Sequence, residues 1–185
     1  FRAWIGEEIE HIPSLCEYTN TKHKKTKEEY LLFSRGLRLD NKSIIHRDDL
    51  GHTTWETMYS FSGIIHFPYT CSTMSIFEQY TGGVPLYFPS KEYVKELYHT
   101  FFDRGFNGLF YDLSFNRYHG LSESLLKPSY SKIDYNNIYS ETVLNRFVDL
   151  YDFYDEELKP NINYFSSMEE LFYKINNNIK KDNDN

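Results

Sequence analysis

The chain predicts an α/β fold, a parallel sheet flanked by helices, and three observations carry that expectation. Short apolar runs bounded by turn residues recur at Glu29–Ser34, Ile64–Phe67 and Val84–Phe88. Between and after them lie longer segments with apolar residues three and four apart, the spacing of one helix face. Alternation of the two is the pattern of parallel strands joined by crossover helices. The third observation is size: 185 residues suffice for one ordinary core, and no internal repeat divides them. The expectation is one domain over 1–185, with 1–28 a linker region and 176–185 a polar tail.

Taken in order, Ala3–Ile9 reads as a short helix followed by a turn at Pro13. Thr19–Glu28 (TNTKHKKTKE) is basic and lacks apolar periodicity, so a solvated loop is expected. Glu29–Ser34 is apolar and ends at Arg35-Gly36, which predicts a buried strand, with a weaker strand at Ser43–His46. His52–Phe61 reads as a helix with Trp55, Met58 and Tyr59 on one face. The next strand ends at Pro68. A polar turn at Ser72 and Thr73 then opens a helix through Tyr80, and Gly82-Gly83 leads into the strand Val84–Phe88. Lys91–Asp103 is helical, with Val94, Leu97, Tyr98 and Phe101 at spacings of three and four. Arg104–Asn137 mixes glycines and aromatics without a sustained period and reads as a long excursion, with one short strand at FNGLFYDL. Glu141–Tyr154 is expected to be a helix and Asn161–Phe165 a last strand. Ser166 or Ser167 caps a closing helix whose first turn holds Glu169 and Glu170, where the helix dipole favours them, and whose tail frays from Asn176.

Composition narrows the function. Acidic residues outnumber basic ones 27 to 20, a formal charge of −7, which argues against non-specific binding to nucleic acid or anionic membrane. The 2 cysteines, Cys16 and Cys71, have neither CxxC nor histidine-rich spacing, so no zinc knuckle or disulfide framework is indicated and a reducing, cytoplasmic compartment is expected. No apolar run approaches the roughly 20 residues of a membrane span. Residue 1 is Phe, which suggests the later portion of a longer protein. Aromatics reach 18%, mostly Tyr and Phe, and read as a composition bias or, in part, as a surface for sugars or partners.

The chemistry-bearing residues cluster around the central strand-loop-helix-strand unit. In such a unit the loop after the first strand and the free amide hydrogens of the helix start face the carboxyl edge of the sheet, where phosphates bind. Ser72, Thr73 and Met74 open that helix, Tyr69 precedes them, and Glu78 inside the helix is placed to accept ribose hydroxyls. Arg35 and Arg38 follow the first strand and offer planar donor forks suited to phosphate oxygens. His46, with Arg47, stands after the second strand, where it could line a base or sugar pocket. His66 is the candidate catalytic group, set against the ordinary role of a core histidine. Asp48-Asp49 lacks a third oxygen ligand, so no metal site is expected.

The stretch STMSIFEQYTGGVPLYFPS resembles the donor-binding C-terminal half of GT-B type glycosyltransferases, and its wording is similar to that of enzymes of large viruses and microbes. The matching positions are Pro68-Tyr69 at the strand end, Ser72-Thr73 at the turn, Glu78 in the helix and Gly83-Val84-Pro85 at the next strand. LLFSRG (Leu31–Gly36) looks like the first strand and loop of that half, and INYFSSMEEL (Ile162–Leu171) like its closing strand and helix. The resemblance implies a Rossmann-like domain that binds a nucleotide-diphosphate sugar, transfers the sugar to a glycan, protein or lipid acceptor, and requires no metal or other cofactor. Arg35 or Arg38 would neutralise the diphosphate and Glu78 fix the ribose. Retaining members often pair that glutamate with an earlier one. Counting back by their spacing lands on Thr70, a departure that speaks against a retaining mechanism. The N-terminal half, which normally supplies acceptor contacts, is not visible in this sequence. The alternative is a non-catalytic, partner-binding module of the same fold. Another nucleotide-binding enzyme is disfavoured because no GxGxxG follows a strand.

Overall fold

A computed structural model describes residues 19–34, 37–67, 74–102, 141, 145, 148–149, 151–154 and 162–183. Among them five parallel strands form one sheet: β1 (Tyr30–Phe33), β2 (Ile44–His46), β3 (Gly63–His66), β4 (Leu86–Pro89) and β5 (Ile162–Phe165), in the order β2-β1-β3-β4-β5. Helices α1 (Trp55–Met58), α2 (Met74–Thr81), α3 (Lys91–Phe102) and α4 (Met168–Asn183) flank it. The expected α/β, Rossmann-like architecture is therefore present. The helix read at Ala3–Ile9 and the excursion at Arg104–Asn137 lie outside the described residues.

The central strands read as continuous apolar runs because they are covered on both faces, as parallel strands are. All of β3 and β4 is buried, and Leu31, Ile64, Ile65, Leu86 and Phe88 form the middle of the core. β3 begins at a glycine for a steric reason. A Cβ on Gly63 would stand 2.8 Å from the Pro85 carbonyl oxygen and 2.9 Å from the Tyr87 ring. The bare backbone there lets Tyr30 and Tyr87 meet edge to face, their centroids 5.4 Å apart.

Helix ends follow local chemistry. The Thr54 side chain caps α1 by accepting from the Thr57 N–H. Helix α1 is thus shorter than the segment read from sequence, since Tyr59 already turns away and buries its ring. Ser90 Oγ accepts from the Tyr93 N–H at the start of α3, and Ser167 Oγ from the Glu170 N–H at the start of α4, while the Glu170 carboxylate receives the Ser166 N–H. α2 ends in a Schellman motif: Gly83, at φ +78°, donates to the Tyr80 carbonyl, and Val84 donates to that of Gln79. Pro85 follows, where no helix continues.

Three expectations are corrected. The tail read as frayed from Asn176 is helical to Asn183, and Asn178 Nδ2 donates to the Tyr87 hydroxyl at 2.8 Å. The helix read to Tyr154 gives way to a 3₁₀ turn at Asp152–Tyr154, whose Tyr154 hydroxyl donates to the Pro89 carbonyl at 2.5 Å. The segment Thr19–Glu28 is not a solvated loop but a docked strap. His23 N–H donates to the Gly82 carbonyl, Lys24 N–H to Tyr59, and the N–H groups of Thr26 and Lys27 to Ser60. These carbonyls stand free just after α1 and α2, so a chain of almost any side-chain composition could be held there. Alternate residues of the strap point outward, with Lys22, Lys24 and Thr26 exposed.

Candidate functional site

In this strand order β1 has β2 on one side and β3 on the other, which makes the carboxyl edge between β1 and β3 the topological switch point, the place where ligands bind in open α/β sheets. The last residues of the two strands, Phe33 and His66, are register partners. Their rings lie 5.2 Å apart, and His66 also stacks on Phe88 at 4.9 Å and 11°.

His66 is 6% exposed, and its Nε2 is 2.6 Å from Gln79 Oε1 of α2. An amide oxygen accepts only, so Nε2 carries the proton. Burial lowers the His66 pKa to about 4, against the opposing effect of the Gln79 hydrogen bond. The imidazole is therefore neutral at physiological pH, and its surroundings are those of a core histidine. Two buried polar atoms beside this edge meet no hydrogen-bond partner among the described residues: Ser34 Oγ, one residue past β1, and Gln79 Nε2, on a residue that is 0% exposed. Such atoms are few in native structures, and each has a cost on the order of 1–3 kcal/mol unless something meets it.

Glu78 neighbours Gln79 but serves another face of α2. It is 1% exposed, and Oε1 accepts from both the N–H (2.9 Å) and the hydroxyl of Thr19 at the start of the strap. Ile76 and Phe77 are buried as well, so α2 is enclosed on nearly every side, by the sheet on one and the strap on another. Sequence reading singled out Glu78 and missed Thr19 and Gln79. The signal for Gln79 was available: two consecutive polar residues, Glu78 and Gln79, follow the apolar pair Ile76-Phe77 in a short helix between two buried strands. Thr19 carried no local signal, since its partner is 59 positions away.

Arg38 is exposed and pairs with Asp49 through two parallel hydrogen bonds of 2.9 and 3.0 Å. The pair raises the Arg38 pKa, chiefly through the hydrogen bond, and lowers that of Asp49. His46, at the end of β2, accepts the Leu39 N–H at 3.2 Å through Nε2. Arg35, Tyr69, Ser72, Thr73 and the Met74 side chain lie outside the described residues, although the chain order puts Arg35 just after β1, Tyr69, Ser72 and Thr73 between β3 and α2, and Met74 at the start of α2. Among the described residues no group of three or more His, Cys, Asp or Glu could hold a metal ion, and no helix is long and apolar enough to cross a membrane. Compared with protein-family models, with curated proteins and with solved structures, the chain matches none.

Proposed function

We propose that this chain is the donor-binding domain of a GT-B type glycosyltransferase and takes a nucleotide-diphosphate sugar at the carboxyl edge between β1 and β3. The observation that carries the reading is the switch point itself, followed in sequence by Arg35 on one strand and by Tyr69, Ser72 and Thr73 on the other. On this reading Arg35, with Arg38 drawn from its pair with Asp49, neutralises the diphosphate. Ser72, Thr73 and the amide groups opening α2 at Met74 complete the phosphate site. Glu78 takes the ribose and His46 lines the base or sugar pocket. The same positive field stabilises the departing diphosphate during sugar transfer, so binding and leaving-group catalysis share residues and no metal is obligatory. His66 supports the edge through Gln79, and a proton-transfer step is not assigned to it. The acceptor is a glycan, protein or lipid.

A second reading, a non-catalytic module of the same fold, is favoured by one set of observations: Glu78, Arg38 and His46 each have a partner within the chain. A thermal-shift panel of UDP, GDP, ADP, CMP and inorganic phosphate separates the two. At a hundredfold excess over its dissociation constant a ligand adds about 2.7 kcal/mol, which for a domain this size raises Tm by roughly 5–10 °C. A selective rise with one nucleoside diphosphate supports the donor domain. Flat curves with all five favour the non-catalytic module.

A further inference from the structure

We draw no further inference here: the strongest candidate, the buried side-chain cluster of Phe33, His66, Phe88 and Gln79 near the carboxyl ends of β1, β3 and β4, in which Gln79 Nε2 meets no partner among the described residues, belongs to the site already described.

Discussion

Acidification should destabilise this fold through His66 at a pH above that at which the carboxylates held low by hydrogen bonds take up protons. In the folded state the imidazole has a pKa of about 4, while an unfolded histidine stays near 6.5. As pH falls, the unfolded chain takes up the proton first, so the contribution is present above about 6.5 and is lost as pH drops toward 4. The whole shift amounts to roughly 3 kcal/mol, most of it gone by about pH 4.5. Asp49, Glu56, Glu169 and Glu170 have pKa values held below their ordinary range by hydrogen bonds, so they titrate beneath most of this window. The reference is the double variant His66→Phe/Gln79→Leu. A phenyl ring can stack between Phe33 and Phe88, and removing Gln79 together with its partner avoids leaving a buried amide unmet. Urea midpoints measured for both proteins between pH 7 and 4.5 should diverge, wild type losing about 1 M more than the variant for a slope near 2–3 kcal/mol/M. Parallel pH profiles would refute a neutral, buried His66.

Two further substitutions test the packing around the sheet. Gly63→Ala should destabilise by about 3 kcal/mol or more in chemical denaturation, above the usual range for an added methyl group, because the nearest atom is the Pro85 carbonyl oxygen of the neighbouring backbone, which cannot swing aside. Tyr154→Phe should cost about 1–3 kcal/mol by the same assay, since it strands the Pro89 carbonyl in a buried aromatic cluster at the end of β4. A loss under about 0.5 kcal/mol would mean that another donor reaches Pro89.

The fold was legible because parallel strands announce themselves. Residues 30–33 and 86–89 are apolar runs of four and 63–66 is apolar up to His66, each set off by turn residues, and helix starts at Ser90 and Ser167 carry their caps in the sequence. What escaped the sequence is held by backbone rather than by pattern. The strap's main ties use N–H groups that every residue but proline has, so KHKKTK reads as solvent-exposed although its backbone is docked. α4 runs past Asn176 for a similar reason: a polar tail looks soluble until Asn178 finds Tyr87, 91 positions away. At the candidate site, Glu78 could be picked out as a helix carboxylate, but its partner Thr19 could not.

The structure also separates the parts of the glycosyltransferase-like stretch that the fold itself requires from those it does not. Gly83 is needed at φ +78° to close α2, Val84 completes the same cap, and Pro85 follows it, so a Gly-x-Pro at this place is what any helix ending here would select. Glu78 has a structural duty in holding the strap. Ser34 and Gln79 have no such account. Each has one buried polar atom that meets no partner among the described residues, one just past β1 and the other on the residue that bonds the last side chain of β3; Ser34 could be replaced by an apolar residue at little cost, whereas Gln79 can be replaced only together with His66, whose Nε2–H it accepts. Polar atoms without a described partner at a switch point support the site proposed there. The functional reading therefore stands on this edge of the sheet more than on the motif that first suggested it.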